Sequence, residues 1–333
     1  MGKNYIIAEI GINHEGRNDY IKKLIKSAKK SGCNAVKFQM FKPETMADKY
    51  SKIKKAYFKK NKIETLYKMW KRLALDKKKI NLIYKLCKFY NIDLGFSVFD
   101  KESLKLLGQI KYQFLKVASS DINDFPLLKE FKNKNKHIVI STGMSNEKDI
   151  GKIVKFFKKE KISVLHCVSL YPCPDKLVNL ERMIQIKKKY KVTVGYSDHS
   201  KGVNACILAI NLGAEVVEKH FTINKKLQGP DHALSADERD MEIICNYSNK
   251  FKKLYGSGKI KPTQREMKIS KVARKSIYVR KKILKNEIFN SQNLIIRRPS
   301  GNFSPEEMKT ILKKKSLYDL EPGLNIEKKH LKK

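Results

Sequence analysis

The sequence predicts an α/β protein, a (β/α)8 TIM barrel followed by a small, mostly β C-terminal domain. Three observations carry this. Eight short β-branched or alternating apolar runs recur with amphipathic segments between them, the pattern of a parallel sheet. Their number and spacing within residues 1–258 match a barrel of this kind. The first run continues as EIGINHEGRND, without the glycine-rich phosphate turn that an open doubly wound sheet carries there.

The strands are expected at 5–11, 35–39, 93–99, 114–119, 137–143, 162–169, 193–199 and 216–222. Helical segments stand out at 20–30, 81–90, 103–107, 146–158 and 202–212. The polar stretch 259–272 reads as a linker. Beyond it, 273–333 holds short runs at 276–279 and 293–296, with turn-like breaks at 284–286 and 299–302. So small a unit is marginal as an independent fold and calls for a partner surface, its own barrel or a neighbouring subunit.

With 41% hydrophobic residues the chain has ample material for a core. No run approaches the ~20 apolar residues of a membrane helix, and the N-terminus reads as a strand without a cleavage site. Gly2 is not followed by the Ser or Thr of a myristoylation motif. Six cysteines without CxxC spacing fit reduced, packed thiols in a cytoplasm. The formal net charge of +40 raises nucleic-acid binding as a rival function. The excess, however, is lysine rather than arginine and is spread over nearly every predicted helix, as on solvated faces. No nucleic-acid or membrane partner is expected.

Barrel chemistry sits at the C-terminal ends of the strands. Here those ends carry Glu9, Lys37 with Gln39, Ser97, Lys116 with Ser119, Ser141 with Thr142, His166 with Ser169, Ser197 with His199, and Glu218 with His220. Side chains two apart share a strand face, so one polar ring converges on the mouth. His199 and His220 on adjacent strands suit a divalent metal with open positions, or are hydrogen-bonded core histidines. His14 and His166 are weaker metal candidates, with loop or supporting roles. Lys37 and Lys116 read either as clamps for phosphate and carboxylate or as a Schiff-base nucleophile. The run Gly229, Pro230, Asp231, His232 is either a plain turn or a loop aiming Asp231 or His232 inward. The cysteines read as core.

The segments IIAEIGINHEG, AVKFQ, LGFSVFD, LKVASSD, STGMS, LHCVSLYP, VGYSDHS, GAEVVEKHFT and GPDHALSAD occur in the order typical of the sialic acid synthase family, which the chain resembles over essentially its whole length. The tail, ARKSIYV through IIRRPSGNFSP, resembles that family's antifreeze-like (SAF) domain. The resemblance implies a transferase that condenses phosphoenolpyruvate with an N-acylated amino sugar to give a nonulosonic acid and phosphate. N-acetylneuraminate synthase is the leading expectation, and a legionaminate or pseudaminate synthase acting on a 2,4-diacetamido-trideoxyhexose is the alternative. By the same resemblance, His199 and His220 hold Mn²⁺ or Mg²⁺ and Glu9 is the active-site base. Lys37, Ser97, Lys116, Ser119, Ser141, Ser197 and Arg274 bind phosphoenolpyruvate. Gln39, Asp121, Tyr171, Asp231 and Arg298 contact the sugar, with Arg298 reaching across a domain-swapped homodimer. Two positions depart from the family pattern: Asp121 stands where sialic acid synthases commonly carry Glu, and Ser169 where some carry Asn. Both bear on the sugar rather than the reaction.

Overall fold

The structure is a computed structural model that describes residues 4–50 and 65–332. Gly2 therefore lies outside the described residues. The chain divides into two compact units, Met1–Gly256 and Ser257–Lys333.

In the first unit eight parallel strands close into a barrel in chain order. They are β1 (Tyr5–Gly11), β2 (Ala35–Met40), β3 (Asp93–Val98), β4 (Phe114–Val117), β5 (His137–Ser141), β6 (Ile162–Cys167), β7 (Thr193–Asp198) and β8 (Val216–His220). Each strand is paired in parallel with the next, and β8 returns to β1 with Glu9 opposite His220. Alternation then sorts the side chains. Ile6, Ala8 and Ile10 of β1, like Val36, Phe38 and Met40 of β2, turn outward into the core beneath the helices. Tyr5, Ile7, Ala35, Phe114, Val139, Leu165 and Val216 form a separate apolar cluster inside the barrel. Higher on the same strand faces, the inward residues become Glu9, Lys37, Ser97, Lys116, Ser197 and Glu218, all buried.

The apolar layer leaves no room at two places. A Cβ on Gly95 would lie 2.1 Å from the Phe114 ring, and one on Gly195 would lie 2.1 Å from the Val216 carbonyl oxygen. Glycine here serves close packing across neighbouring strands.

Several helices begin where short polar side chains cap free backbone N–H groups. Asp76 precedes the helix Lys77–Tyr90, and Asn146 makes a capping box with Asp149 ahead of Glu147–Phe156. The helices Leu66–Leu73, Phe125–Lys132, Glu181–Tyr190 and Glu238–Tyr255 were not singled out in the sequence reading. Most of the expected strands run one or two residues too far at their C-terminal ends. Ser119, Gly143, Ser169, His199 and Thr222 lie just past the pairing ladder, where the chain leaves the sheet to form the mouth.

The second unit contains an antiparallel pair, β9 (Ser276–Val279) and β10 (Leu294–Arg297). It has its own apolar core around Ile277, Phe289, Phe303 and Ile326. The stretch read as a linker, 259–272, holds the helix Gln264–Ala273, started by a Thr263–Glu266 capping box. Its high polarity hid it, because none of the helix is buried. The strand expected from 293 starts one residue later. Asn293 instead folds back on the preceding turn, donating to the Ile288 carbonyl and accepting from Asn290 N–H.

Candidate active site

Four charged groups meet inside the mouth of the barrel. Lys37 Nζ lies 2.6 Å from Glu9 Oε2 and 3.7 Å from Glu218 Oε2, while Lys116 Nζ lies 3.1 Å from Glu218 Oε1. Lys37 also donates to Ser97 Oγ at 2.7 Å, Gln39 Nε2 to Glu9 Oε1 at 3.1 Å, and Ser197 Oγ to Glu218 Oε1 at 3.0 Å. Strand register explains the convergence: Glu9 pairs with Lys37 across β1 and β2, and Ser197 with Glu218 across β7 and β8. Both lysine side chains touch carboxylates.

The two carboxyl groups differ. Burial pushes Glu9 up, and Lys37 beside it only partly opposes this. Burial also raises Glu218, but Lys116 and Lys37 outweigh it and bring that carboxyl down to about 2. Two cations therefore face one firm carboxylate and one that is easier to protonate. Lys37 and Lys116 present two cationic groups to a multiply charged anion there, beside a carboxyl that burial makes easier to protonate.

Beside this cluster lie the two imidazoles, His199 just past β7 and His220 ending β8, with ring centroids 5.5 Å apart. Nδ1 of His199 meets the Val168 carbonyl at 2.8 Å, which leaves Nε2 with its lone pair when the ring is neutral. Burial, with His199 and the nearby lysines, holds His220 well below the ordinary histidine range, so its ring is neutral. Burial lowers His199 too, but Cys167 and the Val168 carbonyl reverse that shift. Nδ1 of His220 is buried without a hydrogen bond and stands 3.7 Å from Asp231 Oδ2. Tyr171 packs over His199 with centroids 4.1 Å apart. Among the described residues no cluster of three or more His, Cys, Asp or Glu has metal-holding geometry. The two rings, one oriented by a carbonyl and one with an unpartnered buried nitrogen, nevertheless have the donor chemistry of a two-histidine site completed by water or substrate.

A third group follows β4 to β6. Gly143 N–H donates to Ser119 Oγ at 2.9 Å, and a Cβ on Gly143 would lie 2.1 Å from Ser169 Oγ. Ser141 Oγ, Ser169 Oγ and Asp121 Oδ2 are buried without hydrogen-bond partners. Such orphans in a native fold mark places where a ligand or water completes the bonding. Burial pushes Asp121 up to about 6.

Most expected site residues thus lie in the first unit around the mouth: Glu9, Lys37, Gln39, Ser97, Lys116, Ser119, Asp121, Ser141, Tyr171, Ser197, His199, His220 and Asp231. Arg274 and Arg298 belong to the second unit. His166 faces outward, its Nε2 on the Val178 carbonyl at 2.7 Å and its ring beside Tyr196. His14 is fully buried and accepts from Gly16 N–H through Nδ1. In the loop after β8, Asp231 approaches His220, whereas His232 is buried against Thr222 Oγ1 and Glu15 Oε1. Two residues gain importance that the sequence reading did not give them. Glu218 is the hub of the charged cluster; its signal was its place two residues before His220 on the same face. Cys167, read as core, faces the site with Sγ 3.7 Å from His199 Nδ1.

The closed parallel barrel, with an anion-binding cluster and paired imidazoles at its mouth, defines a class: a (β/α)8-barrel enzyme for an anionic substrate. Residues 24–260 match the NeuB family, so the chain belongs to that family and is a nonulosonic acid synthase, a transferase. It is 36% identical to the N,N'-diacetyllegionaminic acid synthase of Campylobacter jejuni over 91% of this chain and 93% of that protein. It is 32% identical to a C. jejuni pseudaminic acid synthase over 96% of this chain and 94% of that one. The crystal structure of N-acetylneuraminic acid synthetase from Leptospira borgpetersenii aligns with a TM-score of 0.71 at 31% identity, covering 80% of this chain and 90% of that one.

Proposed function

We propose that this enzyme condenses phosphoenolpyruvate with a 2,4-diacetamido-2,4,6-trideoxyhexose, giving a nonulosonic acid of the legionaminate or pseudaminate type and inorganic phosphate. The observation that carries the chemistry is the cluster in which Lys37 and Lys116 share Glu218, with Glu9 and the imidazole pair alongside. The similarity to legionaminic and pseudaminic acid synthases supports the acceptor and moves N-acetylneuraminate, the leading expectation from sequence, to second place.

In this reading Lys37, Lys116 and Arg274 neutralise the carboxylate and phosphate of phosphoenolpyruvate. The hydroxyls of Ser97, Ser119, Ser141 and Ser197 fix its orientation. Enol carbon C3 bonds to the aldehyde carbon of the open-chain sugar, whose oxygen takes a proton from solvent and becomes a hydroxyl. The positive charge left at C2 is quenched by water, whose proton passes to Glu9. The bond from C2 to the phosphate oxygen then breaks, the C2 hydroxyl passes its proton to the departing phosphate, and the ketone forms. His199 and His220 would hold a divalent cation, Mn²⁺ or Mg²⁺, which when bound supplies Lewis-acid polarisation at the aldehyde. Gln39, Asp121, Tyr171 and Asp231 position the sugar. Arg298 reaches its N-acyl group from the partner of a domain-swapped homodimer.

Phosphate release from phosphoenolpyruvate tests this with three acceptors: the diacetamido sugar, N-acetylmannosamine and its 6-phosphate. The expected result is the highest kcat/KM with the diacetamido sugar, lost in EDTA and restored by Mn²⁺. Preference for N-acetylmannosamine or its phosphate would overturn the acceptor assignment. Activity indifferent to chelator would remove the metal.

A further inference from the structure

We propose that an apolar wall formed by Ile12, Met69, Trp70 and Pro230 receives the C6 methyl group of the acceptor and is the element that selects a 6-deoxy sugar; this rests on the acceptor assigned above. A cavity of about 200 Å³ is lined by these four residues together with Gln39, Tyr171, His220 and Asp231. It therefore takes in His220 of the imidazole pair and combines polar residues, suited to hydroxyl and amide groups, with apolar ones that such groups do not need.

The apolar side is firmly built. Met69 is 2% exposed and packs in a cluster of its own with Ile12, Phe41 and Leu73. The Trp70 ring stands edge-on to Phe41, with centroids 4.9 Å apart. Met69 and Trp70 belong to the helix Leu66–Leu73, whose Arg72 pairs with Glu15 at 2.5 Å. The other oxygen of Glu15 meets His232 Nε2 at 3.3 Å, two residues beyond Pro230 in the loop after β8. One carboxylate thus ties the helix to the loop that supplies the rest of the wall.

Two further features bear on the ligand. Among the described residues no lysine or arginine lines the cavity, whereas Asp231 does. Nε1 of Trp70 is buried without a hydrogen-bond partner. A buried donor of this kind is satisfied by an acyl carbonyl of the substrate. A C6 hydroxyl placed against Ile12, Met69 and Pro230, which offer no hydrogen-bonding side-chain group, gives up its water and gains no partner, a loss on the order of 10- to 100-fold in kcat/KM for an apolar pocket.

The test compares kcat/KM for the 2,4-diacetamido-2,4,6-trideoxyhexose and for its 6-hydroxyl counterpart, first in the wild-type enzyme and then in Met69→Leu and Met69→Gln. The wild type is expected to favour the 6-deoxy sugar by roughly 10- to 100-fold. Met69→Leu should keep that ratio. Met69→Gln should narrow it through the acceptor KM while leaving the KM for phosphoenolpyruvate unchanged. Equal kcat/KM for the two sugars in the wild type overturns the wall, with no variant needed and with the diacetamido acceptor left standing. Turnover of N-acetylmannosamine with neither diacetamido sugar accepted overturns the acceptor reading itself.

Discussion

Glu9 and Glu218 lie on strands that neighbour each other across the barrel seam, and Lys37 touches both, yet their surroundings push the two carboxyl groups in opposite directions. Glu218 is locked by two ammonium groups and a serine hydroxyl, which makes it a fixed anion that positions the lysines. In the proposed reaction Glu9, which burial pushes up, is the group that takes the proton. Glu9→Gln keeps the shape and the hydrogen bond from Gln39 but removes the basic oxygen. It should lower kcat by about 10²- to 10⁴-fold with little change in the KM for phosphoenolpyruvate, as measured by steady-state phosphate release. Asp121 gives a prediction about stability. Burial raises its carboxyl to about 6 from an ordinary 3.8, so the folded state disfavours the charge. Below 3.8 the group is neutral in both states and costs nothing; the cost grows through that window and is complete above 6. Asp121→Asn should therefore raise the Tm at pH 8 and leave it nearly unchanged near pH 3.5 in thermal melts. Glu9, Lys37, Lys116 and both histidines were legible because strand alternation puts every second side chain on one face. Glu218 was placed in the same polar ring but given no role, because its significance comes from partners on β2, β4 and β7 that no local pattern joins.

At the scale of elements, the strands were read well because parallel barrel strands are short apolar runs with turns between them. Their ends were read too long because the polar mouth residues continue the alternation after backbone pairing stops. The helix Gln264–Ala273 was missed for the opposite reason, having no buried face to give it a period. Its capping box, Thr263 with Glu266, was the available signal. What sequence did not disclose at all was the filling of the barrel interior, where Phe114 occupies the space over Gly95. Gly95→Ala should therefore destabilise the first unit by about 1–3 kcal/mol as the ring is forced aside. Chemical denaturation followed by the far-UV signal checks this, and an unchanged midpoint would mean the interior is looser than described.

Across the whole molecule, the net charge of +40 is surface chemistry around an ordinary apolar core. On the first helix Lys22, Lys23, Lys26, Lys29 and Lys30 are exposed, while Ile21, Leu24, Ile25 and Ala28 are buried. No helix among the described residues is long and apolar enough to cross a membrane. Against that broad positive field, the site concentrates a few cations with hydroxyls and two imidazoles at one opening. The account depends on His199 and His220 acting together there. Calorimetric titration of Mn²⁺ into the metal-stripped wild type and into His199→Ala and His220→Ala tests this most directly. One ion per chain should bind the wild type, and each variant should bind at least about 100-fold more weakly. Undiminished binding in either variant would contradict the shared site.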